Sequence, residues 1–319
     1  MAHRGTRLAE RSYPLILRHA MNEQRISVVV PTRNRRDSLH RLLSSLRQTR
    51  GLGRIALEVI VVDNGSTDDT AKYLSEISAE WPTVKSLSEA RVGKNFALNK
   101  GIGEAKAEIL CLMDDDIVLD AGWLEALVED YATTRYDALQ PRVLPGTDPT
   151  GKSAEPSRLY EYNIPIVDYG DSIKDRRGLT GVIMSLRRRV IEKAGLFDER
   201  LPALGYHGDT DLSRRIRGAG FSIGYTPHVV AYHELNPNRY GIRYARLFQY
   251  RKGVSRSLYA RDSILFNVIP NLLANISRYI YYRAARNAQK IYKTEMRIMK
   301  YWGYLAGRLQ RVTGKEPWK

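Results

Sequence analysis

The chain lacks several features that would place it in a broad class of proteins. Its 319 residues include a single cysteine, Cys111, which excludes a disulfide framework and favours a reducing compartment. The first 25 residues contain basic groups but no apolar segment typical of a secretory signal. No uninterrupted apolar run approaches the roughly 20 residues that cross a bilayer. We therefore expect a cytoplasmic protein.

Two common nucleotide-binding fingerprints are absent as well. No G-x-G-x-x-G follows the first predicted strand, because residues 31–36 read PTRNRR. The glycines at 101 and 103 fall at the end of a predicted helix and are expected to form its C-cap. A P-loop of the form G-x-x-x-x-G-K-[ST] does not occur either. These absences argue against a Rossmann dehydrogenase and a P-loop nucleotidase.

Positive charge is abundant but confined to one end of the chain. The formal net charge is +16 at pH 7, yet residues 1–238 hold 33 basic and 32 acidic side chains. Residues 239–319 hold 18 basic side chains against three acidic ones, and half of the 20 tyrosines. Basic, aromatic-rich amphipathic helices are typical of segments that lie in an anionic membrane interface. The alternative is an ordinary helical bundle packed on the rest of the chain. We expect no nucleic-acid binding, because no recognisable motif accompanies the charge.

Continuous apolar runs alternate with helical patterns through the first half of the chain. Strands are predicted at 26–30, 57–62, 84–87 and 108–113, and later at 178–185, 222–225 and 229–232. The intervening helices are predicted to begin at Asp37, Thr67 and Gly93, and a further helix is predicted after Asp120. Unbroken apolar strands between helices predict an α/β domain whose mostly parallel sheet is covered on both faces.

Two acidic clusters interrupt this pattern. Asp114, Asp115 and Asp116 follow the strand at 108–113 directly. Three adjacent carboxylates repel one another unless a cation lies among them, and oxygen ligands suit Mg²⁺ or Mn²⁺. The alternative is a solvated acidic turn. Asp209 and Asp211 open a later helix, where an acid can also offset the helix dipole, a role that suits Asp211 better.

Six short segments together resemble family 2 glycosyltransferases of the GT-A fold. They occur in the order typical of that family, within residues 26–233. The segments are VVVPTRN at 28–34, VVDNGSTD at 61–68, ARVGKN at 90–95, DDD at 114–116, GLFDE at 195–199 and GDTDL at 208–212. This resemblance divides the chain into an N-terminal arm (1–25), a GT-A catalytic domain (26–235) and a basic amphipathic helical region (236–319).

The resemblance implies a role for each matching residue. The nucleotide sugar would contact Pro31, Thr32, Arg35, Asp63, Arg91, Asp114 and Asp115. A divalent ion, Mn²⁺ or Mg²⁺, would be held by Asp114, Asp116 and His233. Asp209 matches the catalytic base. One position departs from the family pattern, since Gly208 stands where a glutamate usually precedes the base.

The chemistry agrees with these roles. A cation stabilises the charge that develops on a departing nucleotide diphosphate, and a carboxylate must accept the proton of the attacking hydroxyl. One base opposite one leaving group predicts inversion at the anomeric carbon. We therefore expect an enzyme that moves a sugar, most simply from a UDP-sugar, to a lipid-linked or polysaccharide acceptor at the cytoplasmic membrane face. The alternative, which the missing glutamate keeps open, is a non-catalytic nucleotide-sugar-binding or scaffold protein.

Overall fold

The computed structural model describes residues 25–146, 166–201, 207–236, 242–260 and 262–313. Its first half alternates strands and helices as the apolar pattern predicts. These elements are β1 (Arg25–Thr32), α1 (Arg36–Arg47), β2 (Ala56–Asp63), α2 (Thr70–Glu80), β3 (Val84–Ser88), α3 (Lys94–Glu104), β4 (Ile109–Met113), β5 (Ile117–Leu119) and α4 (Trp123–Thr133). The predicted strand–helix succession is therefore present.

The later part of the sheet is built differently. Its elements are β6 (Ala138–Pro145), β7 (Lys174–Asp175), β8 (Ile183–Arg187), α5 (Arg188–Ala194), α6 (Gly208–Gly218) and β9 (Ile223–His233). The described strands form a single sheet in the order β3-β2-β1-β4-β8-β6-β9-β5, with β7 also on β9. The strands from β3 to β4 are parallel, whereas β8 is antiparallel to β4 and β6, and β5 is antiparallel to β9.

Apolar side chains cover both faces of this sheet. Successive residues of β1 face opposite sides, so Val28 packs with Leu39 and Trp123 in one cluster, while Val29 packs with Leu98 in the other. All five of these side chains are buried. Burial on both faces explains the unbroken apolar runs and confirms the mixed α/β architecture with a mostly parallel core.

Several element boundaries differ from the sequence predictions. The glycines at 101 and 103 lie inside α3, where a side chain at Gly101 would overlap Val29 of β1. The strand predicted at 178–185 begins only at Ile183, and the two strands predicted within 222–232 are one strand, β9. Local patterns miss these limits because pairing with neighbouring strands determines them.

The predicted helix starts lie one to three residues away from the observed ones. The helix expected from Thr67 begins at Thr70, whose backbone N–H donates to the Asp68 carboxylate (3.0 Å). The Asp120 carboxylate accepts from the backbone N–H of Gly122 (2.7 Å), and α4 starts immediately after that glycine. These carboxylates stabilise the turns that lead into the helices.

The basic C-terminal region is helical. It contains α7 (Ile242–Tyr259), a short π-helix (Ile264–Val268), α8 (Ile269–Ala284) and α9 (Ala288–Thr313). Helices α7 and α9 cross in backbone contact, since a methyl group at Gly253 would overlap the Lys300 carbonyl and one at Gly303 would overlap the Tyr250 carbonyl. Among the helices within the described ranges, none combines the length and apolar character that crossing a membrane requires.

Candidate active site

The carboxyl ends of three adjacent parallel strands place polar groups at one edge of the sheet. Thr32 ends β1 and is the register partner of Asp63, which ends β2. Asp114, Asp115 and Asp116 follow β4, which pairs with the other side of β1. Ligands of open α/β sheets bind beyond such strand ends. The predicted site residues on these three strands therefore share one edge.

Asp115 faces the loop that follows β1. Its carboxylate accepts hydrogen bonds from the Thr32 hydroxyl (2.8 Å) and from Arg35 Nη1 (3.0 Å). Burial raises the pKa of Asp115, the positive charge of Arg35 lowers it, and Asp116 raises it again. Thr32, Arg35 and Asp115 thus form one hydrogen-bonded group at the ends of β1 and β4.

Asp116 lies between Arg35 and His233. Arg35 Nη1 donates to Asp116 Oδ2 (2.6 Å), and His233 Nε2 lies 3.6 Å from Asp116 Oδ1. His233 Nδ1 is 2.8 Å from the Glu234 carbonyl oxygen, which can only accept, so Nδ1 donates there and Nε2 is the ring nitrogen that faces Asp116. The antiparallel register of β5 with β9, in which Ile117 pairs with His233, produces this approach.

These atoms fit part of the ligand set of a divalent ion. Among the described residues no group of three or more His, Cys, Asp and Glu side chains could hold a metal ion by itself. Mg²⁺ commonly takes only one or two protein ligands and completes its shell with water and substrate phosphate oxygens. The Asp116 carboxylate suits such a partial set, and the His233 imidazole beside it suits Mn²⁺ better than Mg²⁺.

Asp114 is held by Lys94, for which the sequence patterns predicted no role. Lys94 Nζ, at the start of α3, pairs with the Asp114 carboxylate and donates to the Gly181 carbonyl (2.9 Å). Burial raises the pKa of Asp114, and the positive charge of Lys94 lowers it. Asp114 remains within electrostatic range of Asp116 and His233. The GKN sequence at 93–95 is the feature that could have indicated Lys94 as a site residue, because this lysine follows a glycine at a helix start near the sheet edge.

The carboxylate of Asp209 is held at the other side of Gly181. Its Oδ2 accepts from the Gly181 backbone N–H (2.9 Å), and its Oδ1 accepts from the Thr210 backbone N–H (2.7 Å). Asp114, Asp209, Lys94 and Gly181 line one cavity of about 30 Å³. That volume is about the share of one water molecule in the liquid. A sugar ring at this position requires displacement of neighbouring side chains.

The missing family glutamate has a packing explanation. A side chain at Gly208 would place its Cβ 3.1 Å from Asn95 Oδ1 and 3.4 Å from Phe197 Cδ1. Asn95 and Phe197 are buried, and Asn95 Nδ2 donates to the Asp198 carbonyl (2.8 Å), which restrains it. Glycine therefore allows α6 to approach α3 closely.

A second, larger space opens beside Asp116. It has a volume of about 860 Å³ and is lined by Arg35, Asp116, Tyr73 of α2, Glu234 after β9, and neighbouring residues of these segments. This volume falls in the range of small-molecule sites. The base of the groove is fixed by Arg41 and Ser38, which pair with Glu234.

The remaining predicted residues lie around this arrangement. Pro31 is buried near the end of β1, and the Asp63 carboxylate accepts from the Ser66 backbone N–H (2.9 Å). Arg91 lies farther out, with its guanidinium on Glu89 and Glu199. Its hydrogen bonds lower the pKa of Glu89 to about 2. The structure thus groups Thr32, Arg35, Asp115, Asp116 and His233, and it groups Asp114 with Asp209, while Arg91 belongs to a separate ion-pair network.

Comparison with known protein families identifies the family of this chain. A model of glycosyl transferase family 2 matches residues 27–195, more than half of the chain. The chain therefore belongs to glycosyl transferase family 2.

Named relatives agree with that membership. Glycosyltransferase AglE of Haloferax volcanii is 27% identical over 229 residues, which cover 72% of both chains. The pre-mycofactocin glycosyltransferase of Mycobacterium tuberculosis is 25% identical over 221 residues, 66% of this chain. The aligned region spans only 42% of that mycobacterial protein.

Solved structures confirm the GT-A architecture predicted from the sequence. A mannosyltransferase from Pyrobaculum calidifontis, in complex with GDP-Man and Mn²⁺, superposes with a TM-score of 0.59 over 93% of this chain and 89% of its own, at 19% identity. GalNAc-T7 with UDP, GalNAc and Mn²⁺ gives a TM-score of 0.58 at 14% identity, over 92% of this chain and 58% of its own. At these identities the similarity concerns the fold.

Proposed function

We propose that this chain is a metal-dependent, inverting glycosyltransferase that moves a sugar from a nucleotide-diphosphate donor to a lipid-linked or polysaccharide acceptor. The observation that carries the proposal is the cavity lined by both Asp114 and Asp209. It joins the carboxylate cluster at the strand ends to a second, independently held carboxylate. A donor on one side and an acceptor on the other would therefore meet there.

The donor half of the site would be formed by the loops after β1, β2 and β4. Arg35, Thr32 and Asp115 form one hydrogen-bonded group that would contact the ribose and base, together with Pro31, Asp63 and the more distant Arg91. Asp116 and His233, with Asp114 nearby, would hold Mn²⁺ or Mg²⁺. When bound, such an ion would neutralise the charge that develops on the departing diphosphate.

The acceptor half would depend on Asp209. Its carboxylate would accept the proton of the acceptor hydroxyl while that oxygen bonds to the anomeric carbon and the bond from this carbon to the diphosphate oxygen breaks. Hydrogen bonds from Gly181 and Thr210 hold the carboxylate in place. Attack from the face opposite the leaving group inverts the anomeric configuration.

The identity of the nucleotide is a finer part of the proposal. We favour a UDP-sugar because Asp63 matches the family aspartate that typically accepts from uracil. A GDP-sugar is the competing donor, since the structurally similar Pyrobaculum enzyme binds GDP-Man. Turnover with a panel of UDP-, GDP- and dTDP-sugars, with and without Mn²⁺, would separate these donors. No turnover or hydrolysis with any of them would favour the non-catalytic alternative.

Membrane attachment is the second part of the proposal and rests on an exposed apolar face. Phe266 of the π-helix and Leu273 and Ile280 of α8 are spaced seven residues apart, and each is at least 60% exposed. Ile276, between the last two, is also exposed. Arg283 lies beside this face at helical spacing and suits anionic headgroups. We place the protein peripherally on the inner face of the cell membrane through residues 239–319.

The base assignment has a direct test. Asp209→Asn should reduce sugar transfer by about 10²–10⁴-fold, because the amide cannot accept the hydroxyl proton, while binding of nucleotide diphosphate with Mn²⁺ remains. Asp211→Asn is the matched control, since Asp211 pairs with Arg214 and Arg215 of its own helix. Turnover at the wild-type rate in the Asp209 variant would remove the assignment.

A further inference from the structure

Strand β6 carries a fully buried amide side chain, that of Gln140, which is 1% exposed. Strand β6 pairs with β8 through Ala138 and Leu139. Pro141, which follows Gln140, has no N–H to donate to a neighbouring strand. Burial of a polar side chain is unfavourable unless its donors and acceptors are paired. The partners of this amide therefore identify what it holds in place.

The Gln140 amide contacts the main chain on both sides of Gly181, in the loop that precedes β8 (residues 178–182). Its Oε1 accepts from the Thr180 backbone N–H (2.5 Å), and its Nε2 donates to the Ile183 carbonyl (3.1 Å). Nε2 also donates to the Pro141 carbonyl (3.0 Å). Two carbonyl oxygens on one side and an N–H on the other require an amide in this orientation. Gln140 thus holds the chain just before and just after Gly181.

Gly181 connects the two carboxylates of the small cavity. Its N–H donates to Asp209 Oδ2 (2.9 Å), and its carbonyl accepts from Lys94 Nζ (2.9 Å). Lys94 in turn pairs with Asp114. All four residues line the same cavity. The position of this one glycine therefore affects the separation between Asp114 and Asp209.

The same loop also holds the first turn of α6. Ser213 Oγ accepts from the Leu179 backbone N–H (2.9 Å) and donates to the Asp209 carbonyl (2.6 Å). The backbone N–H groups of residues 179, 180 and 181 are thus bound in turn by Ser213, Gln140 and Asp209. Ser213 and Asp209 belong to α6, whereas Gln140 belongs to the sheet. Of these three side chains, Gln140 is the one that fixes the loop to a strand.

We propose that Gln140 is a positioning residue, which fixes Gly181 and thereby sets the separation between Asp114 and Asp209. This inference rests on the proposed function, because it takes Asp209 as the base. An aliphatic side chain of equal length would fill the same space but would remove a partner from one N–H and one carbonyl of the loop. Gly181 would then move more freely relative to Asp209, and a small displacement of a catalytic group reduces turnover strongly.

Hydrogen exchange of the Gly181 amide tests this positioning in the full chain. With [¹⁵N]glycine labelling, the Gly181 signal is the one absent from the spectrum of Gly181→Ala. Gln140→Met should accelerate exchange of this amide by about tenfold or more, equivalent to about 1.4 kcal/mol. The amide of Gly101 in α3 should exchange as in the wild type, which separates a local effect from general loss of stability.

A double-mutant cycle tests whether Gln140 acts through the hydrogen bond between Gly181 and Asp209. Asp209→Ala should also accelerate exchange of the Gly181 amide. Combined with Gln140→Met it should give much less than the product of the two effects, because both act on the same hydrogen bond. An unchanged Gly181 rate in Gln140→Met, or effects that multiply in full, would overturn the inference.

The matched control is Ser185→Ala, which removes a buried hydroxyl of β8 whose partners are Tyr131 and Leu139. It should leave exchange of the Gly181 amide unchanged, and equal acceleration there would count against Gln140.

Sugar transfer, measured with the same panel of UDP-, GDP- and dTDP-sugars, should fall about 10–100-fold in Gln140→Met, while binding of UDP or GDP with Mn²⁺ remains. Transfer by this variant at the wild-type rate would overturn the positioning role. Absence of transfer in the wild type would contradict the proposed function, and exchange of the Gly181 amide would still decide whether Gln140 fixes Gly181.

Discussion

At the scale of single residues, the site depends on how closely neighbouring side chains constrain the carboxylates. Asp114, Asp115 and Asp116 are consecutive, yet their partners differ: Lys94 for the first, Thr32 and Arg35 for the second, Arg35 and His233 for the third. Each carboxylate therefore has a cation or donor beside it, which offsets part of the repulsion among the three.

Gly208 gives a prediction about packing. Gly208→Ala should destabilise the fold by about 1–3 kcal/mol, because buried Asn95 and Phe197 would have to shift to admit the methyl group. Gly218→Ala, in the same helix with nothing within 4 Å, is the control and should be neutral or stabilising. Urea unfolding measures both. Equal stability of the two variants would contradict the packing explanation for the missing glutamate.

His207 gives a prediction about pH. Burial, and then the charges of Lys252 and Lys300, lower the pKa of His207 from 6.5 to about 4. Between these values the unfolded chain binds a proton that the folded chain does not, so stability falls as the pH decreases through this window. His207→Asn, which tolerates the left-handed backbone at this position, should reduce that dependence. Urea midpoints of both proteins across the window test it; parallel curves would exclude His207 as the source.

At the scale of secondary structure elements, the crossing of α7 with α9 is the most constrained contact. Gly253 and Gly303 lie against carbonyls of the opposite helix, and Gly307 lies against Ser257. Small residues at these points allow the helix backbones to touch. The amphipathic pattern predicted helices here, but it did not predict which glycines would meet.

The crossing predicts a large effect from a small substitution. Gly303→Ala should separate α7 from α9 and lower stability by about 1–3 kcal/mol or more, since the new methyl group overlaps the Tyr250 carbonyl. Gly103→Ala in α3, where nothing lies within 4 Å, is the control. Thermal unfolding followed by circular dichroism reports the difference. An unchanged midpoint for Gly303→Ala would show that the helices are farther apart in solution.

The sheet illustrates what the sequence could predict. Buried parallel strands leave unbroken apolar runs, so β1, β2 and β4 were predictable, as was the carboxylate cluster after them. The approach of His233 to Asp116 follows from pairing of β5 with β9, two strands far apart in the chain. The residue pattern predicted only that a strand ends near His233. The family resemblance implied its role as a metal ligand. The GKN sequence at 93–95 indicated a lysine at a helix start, but not that its ammonium group reaches Asp114, twenty residues farther along the chain.

At the scale of the whole molecule, charge and apolar surface are concentrated in the same region. Nearly all the excess positive charge belongs to residues 239–319, which also carry Phe266, Leu273 and Ile280 on an exposed face. Part of this region packs as an ordinary helical bundle on the rest of the chain, because α7 contacts His207 and packs against α9. The face on α8 is nevertheless open.

Vesicle binding tests this surface in the full chain. The variant Phe266→Ser/Leu273→Ser/Ile280→Ser should bind mixed phosphatidylcholine–phosphatidylglycerol vesicles at least about tenfold more weakly, because each buried apolar side chain contributes roughly 1.5–3 kcal/mol. Val92→Ser/Leu196→Ser, which changes exposed apolar residues of the catalytic domain, is the control. Co-sedimentation measures both. Unchanged binding of the triple variant would exclude this face as the membrane contact.

The hydrogen bond from His207 to α7 ends on a main-chain oxygen, so it places no demand on the identity of the side chain at that position. Substitution of the Lys252 side chain should therefore leave this hydrogen bond in place, whereas Gly253 beside it must stay small. Chimeras that exchange residues 242–313 as a unit between relatives should consequently fold, because the exchange keeps the α7–α9 contact together. Each chimera would keep Asp114, Asp116, Asp209 and His233, because all four lie outside the exchanged helices.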